Sequence, residues 1–406
     1  MRKLLVLSFF LLIYHFVFAQ AEYVEATVSR NNTYALKYYS LFNKTDENLI
    51  LSPFGVSTCM AMAYIGSEGT TQQVIAQHMN FITPFGILFG FKQLIKRYQI
   101  YKSSDINLQI GNALWSSNEN DLLKKYKNLL KVNFAAHVEN LSFSEDAENN
   151  SKLINRWAKK SSNYNVLSII RPENIRKDDR LIFTNFVNLN GNWENPFDEQ
   201  FTSKDDFYTS DSVKIKVDFM NQSSYLKYNE NEIFKIIELP YSGQNISMIV
   251  LLPKKVSDID SIEKSLNSVN FDFWINELYI KLVNVSIPKF RIDFLQDVSS
   301  TLIANGCELP FSDKANFSRI GKPPVHISRI IQKTSITVEE NKNNNFTEQV
   351  ISKDQNFKNI ENSVMNFKAD KPFIFIIVDN FNHSILLIGK VVSPNFNNLS
   401  AEFYNN

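Results

Sequence analysis

Residues 367–375 read FKADKPFIF, and this stretch decides the fold of the chain. A charged turn ends at Pro372, and residues 373–378 after it form an apolar run of strand length. A second apolar run follows at residues 385–392. Both runs are rich in β-branched and aromatic residues, which favour strands. The C-terminal part of the chain therefore predicts two central strands of a large sheet.

Residues 339–366, directly upstream, have no apolar periodicity and begin with the sequence EENKNNN. They join a predicted strand at residues 330–338 to the strand at residues 373–378. A long segment without regular structure between two strong strands is usually functional. We therefore expect residues 339–366 to decide what the protein does.

The rest of the chain separates into a helical part and a strand-rich part. Apolar spacing near 3.6 residues predicts helices at residues 28–42, 56–64, 71–77, 87–100, 122–133 and 147–160. Strand-like runs follow at residues 181–188, 232–239, 246–252 and 278–287. Segregated helices and strands predict an α+β fold around a large mixed sheet. Because no repeat or Pro/Gly/Ser linker divides it, we expect a single domain over residues 20–406.

The N-terminus predicts a signal peptide. Arg2 and Lys3 precede an apolar run at residues 4–18, and small residues before Gln20 favour cleavage there. The alternative is a membrane anchor, but the run is short of the roughly 20 residues that span a bilayer. We expect residues 1–19 to be removed and the protein to be secreted, extracellular and without a membrane segment.

The charge balance argues against nucleic acid as a partner. Removal of residues 1–19 takes two of the 43 basic residues, which leaves 41 basic against 42 acidic side chains. Phosphate binding draws on a basic excess that this chain lacks. The most basic segment has lysines at helical spacing, which favours a solvated helix face over a polyanion site; these are Lys124, Lys125, Lys127 and Lys131.

Covalent features are few. Two distant cysteines, Cys59 and Cys307, do not make a disulfide scaffold, and Cys59 lies in an apolar helical pattern that predicts a buried thiol. In a secreted protein, Asn-x-Ser/Thr sites can carry glycans. The candidate sites are Asn31, Asn43, Asn140, Asn149, Asn221, Asn245 and Asn345, with further motifs at Asn284, Asn316, Asn382 and Asn398. We expect several of them, not all, to be used.

The motifs of common enzymes are absent from the sequence. There is no Gly-x-Ser-x-Gly elbow and no His-Glu-x-x-His, and the glycines of GSEGTT at residues 66–71 lack a phosphate-loop lysine. The histidines beyond residue 19 have no metal-ligand spacing; they are His78, His137, His326 and His383. We therefore expect no catalytic residues, no metal and no cofactor.

The FKADKPFIF stretch resembles, at every constrained position, the signature that follows the reactive-centre loop of serpins. Further matches to that family run in chain order. They are NLILSPFGVS (48–57), GSEGTT (66–71), NALW (112–115), Asn185, NGNW (190–193), ELPY (238–241), LLP (251–253), PKF (288–290) and ILLIGKVVSP (385–394). Each match alone is weak, but together they are specific and cover most of the chain.

The resemblance implies a fold with three β-sheets, about nine helices and an exposed reactive-centre loop at about residues 339–366. Inhibitory serpins are cleaved in this loop by a serine protease. The loop then enters the central sheet as an added strand and traps the protease. The implied partner is a trypsin-like or subtilisin-like serine protease, and the implied state is a monomer.

The start of the loop, called the hinge in this family, departs from the serpin pattern of small residues. Aligning its acidic pair with Glu339 and Glu340 puts Asn341 at the usual glycine and turns one set of side chains inward on insertion. That set is Lys342, Asn344, Phe346 and Glu348. A register shifted by one would instead place Asn341, Asn343, Asn345 and Thr347 inward. Burying an unpaired charge costs several kcal/mol, so the hinge predicts slow insertion.

The resemblance also implies control residues beneath the central sheet and at its upper end. These positions, known as the shutter and the breach, correspond to Ser52, Gly55, Asn185, Trp193 and Gln332. Gly55 stands where the family usually has serine, and Gln332 where it usually has histidine.

Family spacing places the cleaved bond near Gln355 and Asn356, flanked by Lys353 and Lys358. The lysines would attract trypsin-like proteases. We expect a serpin that inhibits weakly or not at all; the alternative is a non-inhibitory binding, carrier or storage protein on the same scaffold.

Overall fold

A computed structural model of the chain describes residues 2–42, 46–101, 105–322, 324–340 and 364–394, with side chains from residue 21 onward. Within these residues there are nine α-helices. They are α1 (Arg2–Tyr39), α2 (Pro53–Gly66), α3 (Gly69–Met79), α4 (Pro84–Ile100), α5 (Lys124–Phe134), α6 (Ala147–Ser161), α7 (Ile259–Ser265), α8 (Ser268–Asn276) and α9 (Ser299–Ala304).

The described residues also form fourteen β-strands. They are β1 (Leu49–Leu51), β2 (Ile106–Ser117), β3 (His137–Leu141), β4 (Leu181–Gly191), β5 (Ser203–Tyr208), β6 (Lys214–Glu230), β7 (Phe234–Pro240), β8 (Ile246–Pro253), β9 (Tyr279–Pro288), β10 (Phe290–Asp297), β11 (Ile327–Val338), β12 (Met365–Lys368), β13 (Phe373–Asp379) and β14 (Ile385–Val391).

The strands form two hydrogen-bonded networks. One is a five-stranded sheet in the order β10-β11-β4-β2-β3, and the other runs β1-β14-β13-β8-β7-β6-β9-β12 with β5 paired to β6. Three sheets were predicted, and two of them are connected in the nine-stranded network through the long strand β6. This strand pairs with β9 from Phe219 to Tyr228 and with β7 from Tyr228 to Glu230. The predicted α+β architecture is confirmed, as are the central strands β13 and β14.

Two apolar clusters hold the layers together. The larger one lies between the inner face of the five-stranded sheet, the nine-stranded network, α2 and the neighbouring helices. The smaller one lies on the outer face of the five-stranded sheet, where α6 packs through Ile154 and Ala158 against Trp115 and Ile331. The five-stranded sheet is therefore covered on both faces, which suits strands that are apolar on both sides.

Helix α2 runs through the centre of the molecule, and all fourteen of its residues are buried. Ser52 caps its N-terminus by accepting a hydrogen bond from the Gly55 amide at 3.1 Å, and Pro53 begins the first turn. A helix that is apolar all round is stable only inside a core. Because α2 begins at Pro53, residues 52–55 lie directly beneath the five-stranded sheet. Cys59, further along α2, is a buried free thiol as predicted.

Within the described residues, no single helix combines the length and apolar character needed to cross a membrane; α3 and α4 meet that standard only together, as a pair bent by 49°.

Candidate functional site

The candidate site is centred on the seam between β4 and β11 in the five-stranded sheet. These two strands run parallel, from Ile327 opposite Leu181 to Thr337 opposite Asn190. A segment that leaves the end of β11 and turns back would lie antiparallel to both strands. A strand placed between them would replace one parallel pairing by two antiparallel pairings, which are somewhat more stable per residue. This pair of strands forms the seam of the sheet.

Below the seam, the Gln332 carboxamide binds the backbone of Ser52. Its Nε2 donates to the Ser52 carbonyl at 2.8 Å, and its Oε1 accepts from the Ser52 amide at 3.2 Å. The Ser52 hydroxyl in turn donates to the Leu386 carbonyl of β14 at 3.0 Å. Gln332 thus ties β11 to the start of α2 and, through Ser52, to the second sheet network.

Asn185 extends this hydrogen-bond chain across the sheet. Its Oδ1 accepts from Gln332 at 3.3 Å, and its Nδ2 donates to Asn112 Oδ1 at 2.8 Å and to the Gly111 carbonyl at 3.2 Å. Asn185 is fully buried, so breaking these bonds without replacement would cost about 1–3 kcal/mol for each unsatisfied group. The structure therefore brings together four of the predicted control residues, since Gly55 also lies against Asn185 and Gln332.

Trp193 closes the upper end of the seam. Its indole Nε1 donates to the Glu339 carbonyl at 3.0 Å, just after β11 ends. The ring stacks on Tyr241 with centroids 4.5 Å apart, and Phe197 approaches it edge-on at 5.9 Å. Trp193 thus holds the first residue of the predicted loop.

Glu340 anchors the next position. Its carboxylate forms an ion pair with Lys289 at 2.5 Å and accepts from the Thr202 hydroxyl at 2.6 Å. Burial alone would raise the pKa of Glu340, but the hydrogen bonds from Lys289 and Thr202 and the charge of Lys289 outweigh it. The pKa of Glu340 therefore lies below its usual range, and the carboxylate is charged at neutral pH.

The predicted hinge and cleavage residues that follow Glu340 lie outside the described residues. They are Asn341, Lys342, Asn344, Phe346, Lys353, Gln355, Asn356 and Lys358. These assignments, including the choice between the two hinge registers, stay predictions.

The chain re-enters the described part just before β12, where several contacts hold it. Phe367 is fully buried, and β12 pairs in parallel with β9. Lys368 forms an ion pair with Asp205 of β5 at 2.6 Å. Directly after β12, the Ala369 amide donates to the Ser286 carbonyl at 2.8 Å. Both ends of residues 341–363 are thus fixed to the folded body, one at β11 and one at β12.

The predicted glycan sites differ in their surroundings. Asn149 in α6 and Asn245 before β8 are exposed. The Asn140 amide donates to backbone carbonyls of Ser117 and Asn120 at 3.3 and 3.1 Å. Asn31 is only 3% exposed inside α1. Whether Asn31 carries a glycan stays a prediction.

Asn221 donates to the Phe201 carbonyl at 2.8 Å, so its amide has a partner in the fold. Asn43 and Asn345 lie outside the described residues. Among the residues that the structure describes, no group of three or more His, Cys, Asp and Glu could hold a metal ion.

The sequence did not reveal the contacts of three residues of the site. Thr202 lies in an unremarkable polar stretch, and no local signal links it to Glu340, which is 138 residues away. Lys289 lies in the PKF motif, but the motif does not reveal the ion pair. Asn112, in the NALW motif, was likewise not predicted to bind Asn185. These contacts arise only from the folded arrangement.

Comparison with known proteins agrees with the architecture. The family model described as "Serpin (serine protease inhibitor)" matches residues 29–394. An uncharacterised serpin-like protein of Methanosarcina acetivorans is 34% identical over 384 residues, covering 90% of this chain and 87% of that protein. A serine protease inhibitor of Cyanea capillata is 28% identical over 356 residues, covering 86% of this chain and 93% of that protein.

Among solved structures, a tumour-suppressing serpin superposes with a TM-score of 0.82 at 25% identity. The match covers 91% of this chain and 100% of the other. The family match spans both the seam and the two anchored ends of residues 341–363. The chain therefore belongs to the serpin family, whose members are in general protease inhibitors and not enzymes.

Proposed function

We propose that the protein is a secreted serpin that presents residues 341–363 to a trypsin-like or subtilisin-like serine protease. The proposal is supported by the position of this segment, between the anchored residue Glu340 and strand β12. Lys353 and Lys358 flank the expected cleavage site and suit proteases that select basic side chains.

We further propose that cleavage usually frees the protease and seldom traps it. One observation carries this proposal. Glu340 fixes the start of the segment at the upper end of the seam, and the next six residues are Asn-Lys-Asn-Asn-Asn-Phe. The upper part of the core-facing side of the seam, beyond the Asn185 and Gln332 carboxamides, is apolar, with Val187, Ile336 and Val338 buried there. A lysine or several amides inserted against these residues would lose hydration without compensation.

The test is incubation of the secreted protein with a panel of trypsin-like and subtilisin-like proteases. We expect cleavage at residues 353–358, located by mass spectrometry, with little covalent complex on denaturing gels. A complex that survives SDS and boiling in near-stoichiometric yield would contradict the proposal. If none of the proteases cleaves the chain, the proposal that residues 341–363 are presented to a serine protease is contradicted.

Two matched hinge variants test whether the hinge side chains limit trapping of the protease. They also decide which of the two hinge registers is correct. One variant replaces Lys342, Asn344 and Phe346 by Thr, Ala and Ala. The other replaces Asn341, Asn343 and Asn345 by the same three residues in order. We expect the variant that repairs the true inward set to form more covalent complex than the other. Equal yields from both variants and the natural chain would show that the hinge does not limit trapping.

The compartment is tested separately. We propose removal of residues 1–19 in a secretory pathway, since Arg2 and Lys3 precede an apolar run and cleavage before Gln20 is favoured. Expression in secreting eukaryotic cells should give a mature chain that begins at Gln20. Retention in the membrane fraction with an intact N-terminus would contradict this.

A second candidate function is carriage of a small molecule that has both apolar and charged groups. It is favoured by a cavity of about 1070 Å³ between α1, α4, α8 and the turn at residues 381–383. Its lining combines apolar side chains, among them Phe89 and Leu94, with the charged side chains of Glu25, Arg97 and Asp272. Thermal-shift screening with such ligands should reveal stabilisation that a Ser29→Trp variant loses. No ligand-dependent shift, or an equal shift in the variant, would exclude this cavity as a carrier site.

A further inference from the structure

A small cavity lies where the end of α8 packs against the turn between β6 and β7. Its volume is about 140 Å³, whereas pockets for drug-sized ligands measure roughly 300–1,000 Å³. Three aromatic side chains line it, namely Phe234, Phe273 and Trp274. The rings of Phe234 and Trp274 meet edge to face, with centroids 4.9 Å apart. The cavity therefore suits one compact chemical group held against aromatic walls.

The same cavity carries negative charge. Glu230 and Glu277 line it, and no lysine or arginine is among the described residues of its lining. Outside the lining, Lys254 pairs with the Glu230 carboxylate at 3.5 Å. The Glu277 carboxylate accepts a hydrogen bond from the Tyr279 hydroxyl at 3.2 Å, a neutral group that does not cancel its charge. The electrostatic character of the cavity therefore favours a cation.

Glu277 stands at a position where helix stability alone disfavours a carboxylate. It is the residue at which α8 ends, and its amide donates to the Phe273 carbonyl at 3.1 Å. The C-terminal end of a helix carries a partial negative charge, which repels a carboxylate. A cation in the cavity would be attracted by the helix end and by the Glu277 carboxylate together. The glutamate thus suits ligand binding better than it suits the helix.

The carboxamides of the lining are used to build its walls. Asn229 Nδ2 donates to the Glu277 carbonyl at 2.8 Å, and Asn229 Oδ1 accepts from the Glu230 amide at 2.8 Å. The Asn231 side-chain oxygen accepts from two backbone amides at the start of β7, at 2.8 and 2.9 Å. A primary ammonium brings three N–H donors and a firmly held hydration shell. It would find few acceptors here to replace that shell.

We propose that this cavity binds a quaternary ammonium group of the kind found in choline. Such a group is positively charged but has no N–H, so it needs no hydrogen-bond acceptor. Its methyl groups pack against aromatic rings, whose faces attract a cation. Free choline and the head group of a phosphatidylcholine membrane share this chemistry. The proposal does not rest on the proposed function, because no residue of the segment 341–363 enters it.

Titration with choline, followed through the indole N–H signals of the tryptophans in nuclear magnetic resonance spectra, tests the site. A Trp274→Phe variant assigns the signal of Trp274. We expect choline to shift this signal selectively, and the neutral isostere 3,3-dimethylbutan-1-ol to bind about tenfold more weakly. An unmoved Trp274 signal, or equal affinity for the two compounds, would overturn the proposal.

Sedimentation with lipid vesicles identifies the source of the group. The probes are vesicles of phosphatidylcholine and, as a control, vesicles of phosphatidylglycerol, which lacks the ammonium group. Binding to phosphatidylcholine vesicles alone, with release by free choline, supports recognition of a membrane. Choline binding without vesicle binding supports a soluble ligand. Equal binding to both kinds of vesicle, unaffected by choline, would contradict a membrane role for the cavity.

Three charge variants give opposite expectations. Glu277→Gln should weaken choline binding about fivefold, because the carboxylate at the cavity is lost. Lys254→Gln should strengthen it about threefold, since Glu230 loses its positive partner, while the backbone bond from residue 254 to the Ile233 carbonyl remains. Glu148→Gln removes an exposed carboxylate in α6 and should change nothing. Weaker binding by Lys254→Gln, or unchanged binding by Glu277→Gln, would overturn the site as described.

Discussion

Glu340 is the second residue of the predicted loop, and its carboxylate is held by Lys289 and Thr202. We expect Glu340→Gln to lower the free energy of unfolding by about 1–3 kcal/mol at neutral pH, because Lys289 loses its charged partner. Because the folded pKa of Glu340 is depressed, its contribution is present above the usual value of 4.5. It is lost as the pH falls through the lower folded value. Denaturant melts at several pH values should therefore show the two proteins converging below about pH 4.5.

The control for Glu340→Gln is Lys152→Met, which breaks an exposed ion pair with Glu148 in α6. Exposed pairs contribute little, so this variant should change stability by less than about 0.5 kcal/mol. A Glu340→Gln protein as stable as this control would show that the anchor does not hold the loop.

The exposure of individual asparagines gives a second prediction at the scale of residues, namely which of them carry glycans. In protein from secreting cells, we expect glycans on Asn149 and Asn245, which are exposed, and none on Asn31, which is buried. Glycopeptide mass spectrometry with and without a glycosidase measures the occupancy of each site. An occupied Asn31 in a folded protein would contradict the packing of α1.

At the scale of elements, β12 shows which contacts fix the C-terminal end of the loop. Phe367 is fully buried, whereas Lys368 and Asp205 are each more than 40% exposed. We expect Phe367→Ala to destabilise the protein by about 3–5 kcal/mol and Asp205→Asn by less than about 1 kcal/mol. Equilibrium unfolding in denaturant measures both. Equal losses would show that the ion pair contributes as much as core packing, against this prediction.

Elements with strong apolar patterns could be predicted from the sequence. Helix α6 was expected at residues 147–160 and runs Ala147–Ser161, and β13 and β14 match their apolar runs closely. Strand β6 was missed, because most of its seventeen residues are polar and its buried residues do not form a continuous apolar run. Its strand form is imposed by pairing with β7 and β9, which lie later in the chain. Local pattern cannot reveal such a partner.

The candidate site, like the fold, could be predicted only in part from the sequence. Ser52, Asn185 and Gln332 could be located because they lie in or beside recognisable motifs. Their joint geometry could not be predicted, since Gln332 and Ser52 are 280 residues apart in the chain. The steric need for glycine at residue 55 depends on the exact position of two other side chains. Such a constraint appears only once the fold is known.

At the scale of the whole molecule, cleavage within residues 341–363 should change the thermal stability of the protein little if the cleaved segment does not insert into the sheet. We expect the cleaved natural chain to unfold near the midpoint of the intact one. The hinge variant with the correct inward set should gain many degrees, because an added strand completes the seam with antiparallel pairing. Calorimetry of purified cleaved and intact forms measures this. A large rise in the cleaved natural chain would contradict the proposed weak trapping.

The hydrogen bond from Trp193 to the Glu339 carbonyl has a practical consequence. The indole is 3% exposed and lies where the loop leaves the sheet. Departure of Glu339 would free the indole Nε1 and admit water, which shifts the fluorescence emission of the ring to longer wavelength. Replacing the other tryptophans, Trp115, Trp157 and Trp274, by phenylalanine would leave Trp193 as the sole emitter. The fluorescence of Trp193 then reports when Glu339 and the residues after it leave the end of β11. This movement can be recorded in real time without any added dye.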